Sequence, residues 1–282
     1  MPTPLKDLVS QLRNGRDKHP LSQETEPVGE PIPEPVAAID GGSSMLWSNG
    51  RRSIGVVRWG YVVYEPTFEI RCARTHSEFL LVEEGSEQLD EARHRREVET
   101  ICEAASHARY VLVDGALDAS SGPLLADVLH DVTPETTVVG VSKKSSLSAT
   151  GGDYPETWYS LPPRTYVLPT MARERESALP DTTLSFTSLH ALGPTLRIDV
   201  AGDLERALRV ARHYAGYRLC PGYPFPLIEA HRACCLDDKK HIYETMLQRE
   251  MGRQGLLRDY VRGKKRGERT AYEIHTVLDG LV

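Results

Sequence analysis

Four residues of this chain carry side chains suited to holding a cation, and their neighbours give each a definite position. Asp40 ends the apolar run Val36-Ala37-Ala38-Ile39 and is followed by Gly41-Gly42-Ser43. Asp114 ends a second apolar run, Tyr110-Val111-Leu112-Val113, and is followed by Gly115. A carboxylate at the tip of a buried strand is costly unless it is paired or bound to a metal. If the two strands are neighbours, the two carboxylates converge, and the glycines leave room for a ligand beside the backbone. The competing explanation is local: Asp-Gly is a common turn dipeptide, and each aspartate would then merely open a turn after its strand.

Glu97 is selected by helical phase. The segment 86–108 reads as a helix with Ile101, Ala104, Ala105 and Ala108 along one side, and Glu97 lies four residues before Ile101 and eleven before Ala108. It therefore falls on the sheet-facing side, whereas Glu99 aligns with Glu103 and Ser106 on the solvent side. A pair with Arg93, four residues earlier, explains Glu97 equally well. His231 follows Tyr223-Pro224-Phe225-Pro226-Leu227, whose prolines suit a helix start. Leu227, Ile228, Cys234 and Cys235 flank it at helical spacing, which predicts an inward histidine. Such a histidine is also an ordinary packed, hydrogen-bonded residue.

Three carboxylates and an imidazole suit a hard divalent cation, Mn²⁺ or Mg²⁺, with the imidazole favouring Mn²⁺. Two such ions about 3.5–4 Å apart would activate water and hold the leaving oxygen in an in-line phosphodiester displacement. Asp40 would be the bridging ligand. Lys143, in Gly140-Val141-Ser142-Lys143 at the end of another strand, is placed to reach a phosphate or simply to be solvated. No phosphate-binding G-x-x-x-x-G-K-[ST] loop occurs. Arg262-Gly263-Lys264-Lys265-Arg266-Gly267-Glu268-Arg269 is a candidate nucleic-acid grip or a solvated run. Arg51, Arg52 and Arg58 are further candidates, and Trp47 and Tyr61 are either base-stacking or core residues.

The elements that must position these groups follow from periodicity. A short amphipathic helix is expected at 4–14 and a Pro/Glu-rich linker at 19–35, so residues 1–35 precede a domain of residues 36–282. That domain opens with a strand ending at Ile39, a Gly/Ser turn, and strands at 54–64 and 67–75. In the last, Phe68, Ile70 and Cys72 alternate with polar residues as on a half-solvated strand. Then come a helix at 86–108, a strand at 110–113, a helix at 121–131 and a strand at 137–141. Residues 144–195 read as an irregular insertion with one strand at 165–168; a strand at 196–200 and late helices at 203–215 and 226–251 follow. Three meandering strands, then parallel strands with helical crossovers, define an α/β mixed sheet of RNase H-like order.

The whole-chain properties set wider limits. The 282 residues are 40% hydrophobic and 26% charged with a net charge of −6, so a nucleic-acid partner would need a local basic surface. Five cysteines without a C-x-x-C pair argue against a zinc knuckle or a disulfide framework. No apolar leader opens the sequence, and no stretch approaches the roughly 18 apolar residues of a membrane helix. A cytoplasmic protein with no membrane partner is expected.

Four blocks in order resemble the NurA family of nucleases: Ala38-Ile39-Asp40-Gly41-Gly42-Ser43; Val111-Leu112-Val113-Asp114-Gly115-Ala116-Leu117; Gly140-Val141-Ser142-Lys143; and Tyr223-Pro224-Phe225-Pro226-Leu227 with Ala230-His231. The resemblance covers residues 36–240. It implies an RNase H-like fold and manganese-dependent DNA cleavage, with 5′-to-3′ exonuclease and single-strand endonuclease activity. It also implies a homodimer working with a HerA-type hexameric ATPase in DNA end resection and double-strand break repair. Carried over by position, the family's acidic ligands fall on Asp40, Glu97 and Asp114, its late histidine on His231 and its nearby tyrosine on Tyr223. Two other classes remain at this stage: an actin-like ATPase or sugar kinase of related strand order, and a non-catalytic adaptor of a DNA translocase.

Overall fold

A computed structural model of the chain describes residues 25–83, 87–117, 122–132, 136–143, 161–168, 179 and 182–264. The expected helix at 4–14, most of the 144–195 insertion and the basic residues 265–269 lie outside them. The strands are β1 (Glu26–Pro27), β2 (Val36–Ser48), β3 (Arg52–Tyr64), β4 (Ile70–Glu83), β5 (Tyr110–Asp114), β6 (Thr137–Ser142), β7 (Thr165–Val167), β8 (Thr182–Ser188) and β9 (Thr195–Ala201). The helices are α1 (Glu87–Ala105), α2 (Gly122–Asp131), α3 (Leu204–Tyr214), α4 (Phe225–Cys234) and α5 (Lys240–Arg253).

The strands form one mixed sheet in the order β1-β7-β8-β9-β6-β5-β2-β3-β4. β2, β3 and β4 meander antiparallel; β2, β5 and β6 are parallel neighbours. This is the RNase H-like arrangement the element order predicts. The β5 and β6 side chains are nearly all buried, as expected of central parallel strands covered on both faces. Alternate residues feed two cores. Val36, Ala38, Tyr110 and Leu112 point to one face, where Leu208, Ala211, Leu227 and Ala230 of α3 and α4 cover them. Ala37, Ile39, Val111 and Val113 point to the other, against Val98, Ile101 and Ala104 of α1 and Leu125 of α2. Each fully buried Leu or Ile contributes about 1.5–3 kcal/mol, so both layers are held firmly to the sheet.

Three expectations are corrected. No turn follows Asp40: β2 runs straight through Gly41-Gly42-Ser43 and turns only at Asn49–Arg51, where the Asn49 side chain accepts from the Arg51 and Arg52 amides. The glycines serve close approach instead. A Cβ on Gly41 would lie 2.5 Å from Glu97 Oε1, and one on Gly42 would lie 2.8 Å from the Cys234 carbonyl. Second, β4 begins and ends later than the expected 67–75. Phe68 adopts a positive φ of 67° in the connecting turn, and Phe68 and Ile70 are exposed. β4 is an edge strand, so alternation there does not mark the core. Third, β8 lies inside the stretch read as irregular, and β9 pairs antiparallel with β6. Ser- and Thr-rich β8 lacks an apolar run because Ser185 and Thr187 bury their hydroxyls, bonded to one another and, for Ser185, to the Ile198 carbonyl.

Residues 25–35 pack on the domain. Val28 is buried, the Arg212 guanidinium donates to the carbonyls of Val28 and Gly29, and Tyr214 donates to the Glu34 carbonyl. No helix of the described residues is long and apolar enough to cross a membrane.

The close seat of α4 over Gly42 gives a test. Gly42→Ala should push the C-terminal end of α4 off β2 and lower stability by about 1–3 kcal/mol, as overpacking against backbone does. Urea denaturation would measure it; an unchanged midpoint would show that α4 is not seated there.

Candidate metal centre

β2 and β5 pair in register as far as Ile39–Val113, and the next residues on each strand are Asp40 and Asp114. Side chains two apart share a face, so both aspartates lie on the face of Ala38 and Leu112, under α4. Beyond this point β2 keeps only β3 beside it, and β5 keeps only β6. The gap between the two strands opens where the carboxylates stand. α4 supplies the third group: His231 Nδ1 lies 2.7 Å from Asp40 Oδ2. One ligand atom each from Asp40, Asp114 and His231 lie within 4.8 Å of one another.

Asp40 is 5% exposed, Asp114 is partly buried, and the His231 ring is 56% exposed. The inward histidine expected from helical phase is thus a rim histidine. The buried stripe of α4 is Pro226, Leu227, Ala230 and Cys234, and His231 sits at its edge, leaning over Asp40. The set is open to solvent through the imidazole and closed below by the sheet.

The electrostatics are those of a crowded acidic site. Burial and then the Asp114 charge push the Asp40 carboxyl up to about 6; Glu97 adds to this, while the Gly41 amide and His231 hydrogen bonds pull the other way. The Gly41 amide donates to Asp40 Oδ1 at 2.8 Å. The Asp114 loop is held from beneath. Gly115 has φ +147°, a conformation that favours glycine, and its amide donates to the Val141 carbonyl. Asp199, buried beside Arg197, accepts the Leu117 amide at 2.9 Å.

Lys143 Nζ contacts Asp114 Oδ2 at 2.8 Å and stands 4.8 Å above the Tyr223 ring. Tyr223 is buried with its hydroxyl near Asp114 but without a hydrogen bond of ordinary geometry. Burial and the Asp114 charge hold that phenol protonated far above its usual range. Sequence blocks far apart in the chain therefore meet here.

Glu97 stands apart from the three-residue set. It is 3% exposed, approaches Gly41 from the α1 face of the sheet, and accepts from Arg93 Nη1 at 2.6 Å. Both explanations of its helical phase hold at once: it faces the sheet and it pairs with Arg93. Glu99 is on the outer side, paired with Arg95 and Arg96.

Other candidates resolve differently. Trp47 and Tyr61 are core residues; Trp47 Nε1 donates to the Tyr260 carbonyl and the Tyr61 hydroxyl to Glu103. Arg51 and Arg52 are exposed in the β2–β3 turn. Arg58 turns inward, bonded to the Ala233 carbonyl, Tyr243 and Thr75. Its partners are far away in sequence, so no local signal could have revealed them.

The donor set fits a divalent cation. Two carboxylates and an imidazole are ligands that Mn²⁺ and Mg²⁺ accept, with imidazole favouring Mn²⁺. Their spacing allows one ion to reach all three.

No family model matches the sequence, and no curated protein matches it. The fold is similar to solved structures. The NurA nuclease from Sulfolobus solfataricus superposes with a TM-score of 0.64 at 13% identity, over 89% of this chain and 95% of that one. Another NurA structure gives a TM-score of 0.57 at 10% identity, over 86% and 95% of the two chains. A NurA bound to dAMP and manganese gives 0.55 at 10% identity, over 85% and 94%. The chain has a NurA-like fold across most of its length.

Asp40 provides a stability test of the metal-free protein. Its carboxyl titrates near 6 when folded, against 3.8 as the ordinary value. Folding thus favours its protonated form. The penalty for ionising it is absent below the ordinary value, grows between the two values and is complete above the higher one. Asp40→Asn should therefore stabilise the metal-free protein at pH 8, by at most about 3 kcal/mol, and hardly at all at pH 4. Mn²⁺ should raise the melting temperature of the wild type and not of the variant. A variant less stable than wild type at pH 8 would contradict this account of the site.

Proposed function

We propose that this chain is a metal-dependent DNA nuclease that hydrolyses phosphodiester bonds at the Asp40–Asp114–His231 site. The observation that carries the reading is the convergence of those three side chains, from β2, β5 and α4, at the point where two parallel strands part. The NurA-like fold supports it, as does manganese in a NurA of that fold.

A bound divalent cation would polarise the scissile phosphate and supply hydroxide near neutral pH. The chain's own groups do the rest. Asp40 and Asp114 give two acidic ligands on one face, and His231 closes the set from the rim. Glu97 is the fourth proposed ligand: its carboxylate lies behind Gly41, and it joins the set by turning from Arg93. Arg93 then screens the acidic cluster from the α1 side. Lys143, more than half exposed, swings from Asp114 to a phosphate oxygen as a substrate arrives. Tyr223, held neutral by its burial, packs beneath Lys143 and fixes the side of Asp114 from which the lysine approaches.

The finer reading follows the family resemblance. The chain acts on DNA ends and single strands, with 5′-to-3′ exonuclease and single-strand endonuclease activity. It works as a homodimer beside a HerA-type hexameric ATPase in end resection, uses Mn²⁺ in preference to Mg²⁺, and acts in the cytoplasm. The actin-like kinase and adaptor classes gain no specific observation from the site.

The test is cleavage of end-labelled single- and double-stranded DNA with Mn²⁺, Mg²⁺ or chelator. Wild type should cut with Mn²⁺ and stop with chelator. Asp40→Asn and Asp114→Asn should fall to background while remaining folded, and Lys143→Ala should lose about tenfold or more as a transition-state charge contact is removed. Full Mn²⁺-dependent activity in either aspartate variant would remove the site from consideration.

A further inference from the structure

Arg58 was a candidate to meet nucleic acid, but the structure gives it another place. α4 ends at Cys234, and His231 lies in its last turn. The last four carbonyls of a helix have no partner within it and must find one outside. Here three of them accept a hydrogen bond, and the fourth packs on a glycine. The His231 carbonyl accepts the Cys235 amide at 2.7 Å, and the Arg232 carbonyl accepts Lys239 Nζ at 3.3 Å. The Cys234 carbonyl closes over the bare Cα of Gly42. The Ala233 carbonyl accepts Arg58 Nε at 2.9 Å.

Arg58 differs from the local partners because it comes from another layer. It sits on β3 opposite Gly42. Its remaining donors reach Tyr243 Oη of α5 at 3.0 Å and Thr75 Oγ1 of β4 at 2.8 Å. One guanidinium therefore ties α4 to β3, β4 and α5 together. Its planar fork fixes three directions at once, and its positive charge is favoured at the helix C-terminus. The helix turn so held is the one that leans His231 over Asp40 at 2.7 Å. Gly42 sets how near α4 approaches the sheet, and Arg58 fixes where along it the last turn comes to rest.

We infer that Arg58 is a positioning residue for His231: it clamps the C-terminal turn of α4 to the sheet so that the imidazole stays in reach of Asp40 and Asp114. This rests on the proposed reading of His231 as a metal ligand. Arg58 itself touches neither the cation nor the DNA.

The test is a double-mutant cycle with Mn²⁺ as the ligand, measured by calorimetry on the full chain. Arg58→Ala should weaken Mn²⁺ binding about tenfold or more, the usual cost of losing support behind a metal ligand. In a His231→Ala background the same substitution should change affinity by less than about twofold, since nothing is left to position. Arg58→Lys should recover part of the loss. An equal loss in both backgrounds, or unchanged affinity in folded Arg58→Ala, overturns the inference. If Arg58→Ala does not fold, Tyr243→Phe and Thr75→Val enter the same cycle, each removing one anchor of the guanidinium, with a smaller loss that His231→Ala again abolishes. Amide exchange on the metal-free protein is read in parallel. The Cys235 amide should exchange faster in Arg58→Ala while the β5 amides do not; unaltered exchange at Cys235 also overturns the clamp. If the wild type takes up no Mn²⁺, the proposed function fails instead, and the exchange measurement still judges Arg58.

Discussion

The site depends on where two parallel strands stop pairing. β2 and β5 run together through Ile39 and Val113, each residue buried, and then separate. Asp40 and Asp114 occupy the first positions past that point, on one face, with no strand between them. Burial first, and then the repulsion of Asp114 beside it, raise the Asp40 pKa. The fold tolerates this because hydrophobic layers on both faces of the sheet hold the strands in place regardless of what their tips carry. The strain is local and is the kind that a cation relieves.

The surrounding structure is arranged around that notch from two sides. From one face α4 brings His231, seated by Gly42 and by the charged donors at its C-terminus. From the other face α1 brings Glu97 to the opposite side of Gly41, in the grip of Arg93. The two adjacent glycines of β2 point to opposite faces, and each accepts one of these approaches. Below, the Arg197–Asp199 pair and the Gly115 backbone fix the segment that follows Asp114. A buried ion pair is weak evidence for stability, but breaking one is costly, so it fixes its surroundings strongly.

Much of this was legible in the sequence. Uninterrupted apolar runs identified the two central strands, and the acidic residue closing each was the first sign of the site. Helical phase placed Glu97 toward the sheet and separated it from Glu99. The order of strands and helices gave the mixed sheet. The Gly-Gly-Ser stretch was misleading because glycine serves turns and close approaches alike, and composition does not distinguish them. β8 was missed because its two buried apolar residues, Leu184 and Phe186, alternate with Ser185 and Thr187, whose buried hydroxyls leave no apolar run. β4 was misplaced because Phe68 and Ile70, where the alternation starts, are exposed, and the side that packs is carried by Cys72, Leu80 and Val82 further along the strand.

The sequence by itself determined which residues have chemistry to offer and on which element each one sits, since strand and helix periodicities are local and survive any fold. Only the tertiary structure decided which of them meet. The β2–β5 register set Asp40 beside Asp114, and the seat of α4 put His231 at the rim instead of in the core. Arg58 passed from a candidate for DNA to an internal clamp. Those outcomes turn on contacts between residues far apart in the chain, on distances of a few ångströms and on which strand ends first, and no periodicity within one segment encodes them.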